Sequence, residues 1–310
     1  MEQISGRRAF LKTAMASAAG LALTRDAWAK PRAEALSVTR LSGNLVEIMG
    51  AGCNVVVATS PDGAVMVDGG LPEHSAALIK LAKEQSPARK ILALFNTNWR
   101  PPHTGSNHTV GKDGVKILAH ENTKLWMGAD FDVPWAHETH KPWPAYALPN
   151  DTFYTSGKMM CGAEHIDYAH VPQAVTDGDI YVHFPDSNVI AASDLVTVGT
   201  YPLSDWATGG WIRGLANATK AMMDISDDKT RIIPASGPAQ SKEDLKLQHD
   251  MLAEMDHRIG EFFKDGKSVD EMVAAKPTKE FDARWGNPEM FLRLAYKGVR
   301  GHIREYPGVI

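Results

Sequence analysis

Residues 95–107 read FNTNWRPPHTGSN and follow the apolar run ILAL, the layout of a metal-binding loop at the end of a strand. A hydrolytic zinc loop in such a place needs three or four imidazole or carboxylate groups, because Zn²⁺ takes neutral His nitrogen and anionic oxygen in tetrahedral sets. This stretch supplies His103 alone. Elsewhere His108, His120, His137, His140, His165 and His183 have the chemistry to rebuild a metal site, and the HETH run at 137–140 places two of them close together without a third ligand.

The elements that would hold these residues can be read from the hydrophobic pattern. NLVEIM, CNVVVA and AVMV are short β-branched runs, with the turn SPDG between the second and third, and imply hairpin-linked strands. They end at Asp68-Gly69-Gly70. Pro72 then opens a segment whose apolar residues Ala76, Ile79, Leu81 and Ala82 suit an amphipathic helix. KILALF and VKILAH are further strands. Residues 122–149 hold Trp126, Trp135 and Trp143 among prolines with no steady period, and are expected to be a long loop over a cleft, with Trp135 and Trp143 as candidate binding residues. DIYVHF, NVIAAS and TRIIPA are strands of a second half, with a helix over 210–223. Ser241 with Asp244, and Ser268 with Glu271, read as capping pairs at two C-terminal helices. Two β-rich halves, each ending in helices, predict an α/β fold with two sheets face to face and helices outside, a four-layer αββα sandwich.

The chain has 310 residues, is 44% hydrophobic and carries a net charge of −4, with no long Lys/Arg run. That balance argues against a nucleic-acid or anionic-membrane surface. Paired Arg7 and Arg8 in SGRRAFLK precede a weakly apolar run and the A-x-A site at Ala27 and Ala29, so residues 1–29 read as a twin-arginine signal peptide. The expected mature chain is one domain over 30–310 with a C-terminal helical tail, periplasmic or secreted, with no membrane span. Cys53 and Cys161 lie far apart in sequence, and Cys53 begins an apolar run where a buried thiol is common.

The order of elements, with VMVDGG, NTNWRPPHTGSN, HVPQAVTDGD, ASDLV and IIPASGP, resembles the metallo-β-lactamase superfamily over nearly the whole mature chain. The resemblance implies hydrolase chemistry on one or two zinc ions, held by an H-x-H-x-D-H loop, a later His, a bridging Asp and a last His. The matching loop positions here are Asn98, Arg100, Pro102 and His103. The later His falls at Val175, with His170 a neighbour; the bridging Asp is Asp194, and Ser236 stands at the last His. His103 and Asp194 alone retain ligating side chains, so no metal site and no zinc cofactor are expected, although zinc is the family's cofactor. Asp68, Gly105, residues 176–179 and Gly237 remain as turn and strand-end groups of the frame.

Asn98, Arg100, Asp68, Trp135 and Trp143 are therefore candidate binding residues, with Arg100 and Asp194 expected to pair where the metals would lie. Ser236, His103 and Asp194 are a candidate catalytic set, since the resemblance gathers them and Ser, His and Asp can form an activated nucleophile. The favoured reading is an exported, non-hydrolytic protein that binds a small molecule or a periplasmic protein partner. The alternatives are a hydrolase of an ester, thioester or lactam, metal-free or with recruited ligands, and a structural subunit of a periplasmic complex.

Overall fold

The computed structural model describes residues 35–305; the signal segment expected over residues 1–29 lies outside them. Alternating apolar runs open the fold as an antiparallel meander of β1 (Ser37–Arg40), β2 (Leu45–Met49), β3 (Val55–Ser60) and β4 (Gly63–Val67). After Pro72 and α1 (Ser75–Glu84), β5 (Ile91–Phe95) pairs in parallel with β4. Two short helices, α2 (Pro101–Thr104) and α3 (Asn107–Lys112), lead to β6 (Lys116–His120), parallel to β5. The inward face of α1 is carried by Leu78, Ile79 and Ala82, whereas Ala76 is exposed.

The stretch expected to be one irregular loop is more ordered than its composition implied. It contains α4 (Glu121–Met127) and a small antiparallel pair, β7 (Phe131–Val133) and β8 (Glu138–His140). Trp99, Met127 and Val133 make a satellite core for it, with Trp126, Phe131, Trp135 and Trp143 packed around them. Aromatic burial supplies here what periodicity did not advertise. β9 (Asp151–Phe153) closes the seven-stranded sheet against β6.

The second sheet runs β10 (Ser156–Cys161), β11 (Glu164–His170), β12 (Ile180–Phe184), β13 (Val189–Ser193) and β14 (Arg231–Pro234) in that order. β10 and β11, rich in Lys, Met, Glu, Asp and His, carry no strand signal in composition; their antiparallel register makes them strands. α5 (Ile212–Asp224) connects β13 to β14, which therefore pair in parallel. The chain ends in α6 (Lys242–Lys264), α7 (Val269–Ala275), α8 (Asp282–Trp285) and α9 (Glu289–Glu305). Both expected capping boxes are present, Ser241 with Asp244 and Ser268 with Glu271.

The period of two along each strand builds the layers. Val56, Ala58, Val65, Val67 and Phe95 of the first sheet meet Ile180, Val182, Phe184, Val189 and Ala191 of the second. The opposite faces, Val55, Val57, Ala64 and Met66, pack on α1. Ile190 and Ala192 turn outward to α5, α6 and α9. The result is an αββα sandwich in which the C-terminal helices are an outer layer. Residues from Leu36 onward belong to one compact unit. Cys53 and Cys161 are free and buried. Among the described residues, no helix is long and apolar enough to cross a membrane.

Candidate functional site

The candidate site lies where the ends of β4, β5 and β13 meet. Asp68 follows β4 with φ of 71°, and Ser193 ends β13 with φ of 51°. Left-handed backbone at residues other than glycine costs roughly 1 kcal/mol each and persists where surrounding contacts over-determine it. The contacts at Asp68 are dense. Its Oδ1 accepts the Thr97 N–H at 2.9 Å and lies 2.8 Å from Thr97 Oγ1, and its Oδ2 accepts the Ser193 hydroxyl at 2.8 Å. A shift in the β13–β14 register between Ala191 and Ser193 accompanies this close approach of Ser193.

His103 sits on α2, fully buried, with its carbonyl accepting N–H groups from Gly69 at 2.8 Å and Asn96 at 2.9 Å. Its Nδ1 faces Asp68 Oδ2 at 2.9 Å, and its Nε2 faces Asp194 Oδ2 at 2.8 Å. A neutral imidazole has one donor and one acceptor, and ionised carboxylates only accept. Two such contacts therefore require both ring nitrogens to be protonated. Burial alone would depress the imidazole, but Asp194 and Asp68 together hold it well above the ordinary histidine value.

Asp194 Oδ2 also accepts from Arg100 Nη1 at 2.8 Å and Asn98 Nδ2 at 3.3 Å. Burial pushes this carboxyl up, yet His103 and Arg100 outweigh it and keep the group far below the usual carboxylate range. Asp179, buried nearby and bonded to the Thr176 N–H at 2.6 Å, is raised by desolvation to about 8, so its carboxyl is mostly neutral at neutral pH. The array Arg100–Asp194–His103–Asp68 then carries two cations and two anions in a closed series.

Sequence reasoning had brought together His103, Asp194, Arg100, Asn98 and Asp68, and the structure places them in this one array. Ser236 is different. It is exposed in the turn after β14 and has no hydrogen bond to His103, whose nitrogens are both committed to aspartates. Ser236 thus lacks the imidazole contact an activated nucleophile requires; the hydroxyl that reaches His103 is that of Ser193, 3.1 Å from Nδ1 and itself donating to Asp68. Val175 is fully buried in the apolar layer beneath α5. Thr97, Ser193 and Cys53 were missed; Thr97 and Ser193 directly precede Asn98 and Asp194, which was the available signal. In the HETH run, His140 bonds the Met127 carbonyl at 3.3 Å and packs on Trp99 at 5.3 Å between ring centroids, a structural role.

Cys53, Asp68 and His103 each offer a ligand atom, all within 4.8 Å of one another and buried. A divalent cation there would need a thiolate and an unprotonated ring nitrogen. Burial pushes the Cys53 thiol up, and its S–H is directed at the Pro102 carbonyl at 2.8 Å. A cation binding there would displace the contacts the thiol and the ring now make to Pro102 and Asp68.

Beside Arg100 opens a cavity of about 370 Å³ lined by residues including Trp99, Trp135, His140, Lys141 and Trp143. The Arg100 guanidinium lies 5.6 Å from the Trp135 ring centroid, and the Trp135 indole N–H bonds Asp205 at 2.8 Å.

An αββα sandwich with its polar site at the strand ends, fed by the loop after β5, defines a class of fold that hosts hydrolases. The profile of the Metallo-beta-lactamase superfamily matches residues 49–237, and the chain belongs to that superfamily. Among solved structures it is similar to a metallo-beta-lactamase from Pontibacter korlensis, with 17% identity and a TM-score of 0.56 over 71% of this chain and 99% of the other. It is also similar to the DIM-1 metallo-beta-lactamase, with 13% identity and a TM-score of 0.57 over 70% and 97% of the two chains. The stereoselective inverting sec-alkylsulfatase Pisa1 from Pseudomonas sp. shares 16% identity and a TM-score of 0.65 over 88% of this chain and 52% of that one. At these identities the likeness is one of fold. No curated protein sequence matches the chain.

Proposed function

We propose that this member of the superfamily is a non-hydrolytic binding protein, in which a closed charge array stands where the family's zinc chemistry would lie. The observation that carries the reading is His103, with Nδ1 2.9 Å from Asp68 and Nε2 2.8 Å from Asp194. A doubly protonated imidazole has no lone pair for a metal and no capacity as a general base. Arg100 reinforces this, because its guanidinium already supplies the counter-charge that Asp194 would otherwise seek from a cation. The structural neighbours are hydrolases by name, but at such low identity their activities do not transfer. The cavity beside Arg100 supports binding of a small molecule, since its size and aromatic walls are those of small-ligand sites.

The reading includes export through the twin-arginine motif at Arg7 and Arg8 and residence in the periplasm. Fractionation of cells producing the parent and Arg7→Lys/Arg8→Lys tests it; equal periplasmic recovery of both would overturn the export assignment. The central test is elemental analysis of protein purified without a metal-affinity tag. Zinc far below one per chain is expected, and zinc near one per chain would overturn the metal-free reading.

A further inference from the structure

The cavity beside Arg100 has walls that are fixed before any ligand arrives. Trp99 is buried, with its indole N–H bonded to Thr208 Oγ1 at 3.2 Å. Trp135 is tied to Asp205 at 2.8 Å, on the turn between β7 and β8, where His137 takes a left-handed φ of 56°. Trp143 stacks on His108 with ring centroids 4.6 Å apart, and its backbone N–H bonds the Met127 carbonyl at 2.9 Å. Preorganised aromatic faces bind flat molecules with little ordering cost.

The charged side chains of the lining are two cations, Arg100 and Lys141, against one carboxylate, Glu138, a balance that favours an anionic occupant. Arg100 has five N–H donors. Among the described residues its guanidinium meets a protein acceptor through Nη1 alone, at Asp194. Lys141 adds a second cation at the cavity wall, 2.8 Å from Asp130 and largely exposed. A planar guanidinium with unspent donors, lying over an indole, is matched by a planar anion that can accept two parallel hydrogen bonds.

We propose that this cavity binds a small planar aromatic carboxylate, with the carboxylate on Arg100 and the ring against the tryptophan walls. The assignment rests on the metal-free reading of the site, because it uses Arg100 in the position where cations would sit. Apolar rings gain from the indole faces, while the Arg100–Asp194 contact holds the guanidinium in place as the anion arrives.

The test is calorimetric titration of the unmodified protein, in chelator, with 1-naphthoate and its neutral match 1-naphthamide. The acid is expected to bind about ten-fold or more tightly than the amide, since the amide loses the charge-assisted pair while keeping the ring. Trp135→Leu is expected to weaken both probes, and Arg100→Met the acid far more than the amide. Absence of acid binding, or equal affinity for acid and amide, overturns the carboxylate assignment even where elemental analysis finds no zinc. Zinc near one per chain instead overturns the metal-free reading on which the assignment rests, so the two failures are distinguishable.

Discussion

His103 Nε2 and Arg100 Nη1 meet the same oxygen of Asp194, each at 2.8 Å. Two cations converging on one carboxylate oxygen are stable here because Asp68 balances the far side of the imidazole at 2.9 Å. Charge neutrality over the four groups thus depends on the protonation of His103.

That protonation is directly measurable. Long-range ¹H–¹⁵N correlation spectra of the imidazole are expected to show His103 doubly protonated at pH 7. Its folded value is raised above the unfolded one near 6.5. The stability it contributes is therefore fully present below about 6.5 and lost as pH rises through the raised folded value. A neutral tautomer at pH 7 would sink the charge-array description.

Removing Arg100 leaves Asp194 partly buried with one cation. Arg100 and Asp194 side chains retain 21% and 20% exposure, so water relieves part of the cost. Arg100→Met is expected to lower unfolding free energy by about 2 kcal/mol in urea titrations, below the range for a fully buried pair. Combined with Asp194→Asn, the loss should be smaller than the sum of the single losses. Strict additivity would show that the two groups do not act as a pair.

His120 and His170 stack with centroids 3.7 Å apart and planes 11° from parallel. His120 accepts the Asn122 N–H through Nδ1 at 3.2 Å and so caps α4 with a neutral ring. Burial, followed by His170, lowers His120 to about 4, and burial lowers His170. Folded values below unfolded ones mean that stability is full above about 6.5 and falls as pH drops through about 4. Urea midpoints of the parent should fall over that window, and those of His120→Gln/His170→Gln should fall less; identical pH slopes would remove the pair from the account.

Gly105 closes α2 against the turn after β4, and a Cβ there would lie 2.3 Å from the Gly70 carbonyl oxygen and 2.5 Å from Pro72 N. Both obstacles are backbone and cannot swing away. Gly105→Ala is expected to cost roughly 2 kcal/mol as an overpacking change and to broaden the His103 ring signals as the loop shifts. Unchanged stability together with unchanged ring signals would show that the loop position does not depend on this close approach.

Layer order, the two C-terminal capping boxes and most strands were legible in the sequence, because period-two burial and Ser-x-x-acid caps are local patterns. β10 and β11 were not, since Lys, Glu, Asp and His are interspersed among their apolar residues and only cross-strand register makes them strands. Nor was the hairpin of β7 and β8, which depends on indole packing across residues far apart in the chain. The candidate site divides the same way. The sequence by itself determined which side chains reach the strand ends: Asp68, Asn98, Arg100, His103 and Asp194, each fixed to a loop by its neighbours. Tertiary structure alone decided their roles, because the state of His103 depends on two carboxylates 35 and 91 residues away whose distances no local pattern encodes. It also separated Ser236 from them, leaving that hydroxyl exposed while burial and opposite charge locked the other groups together.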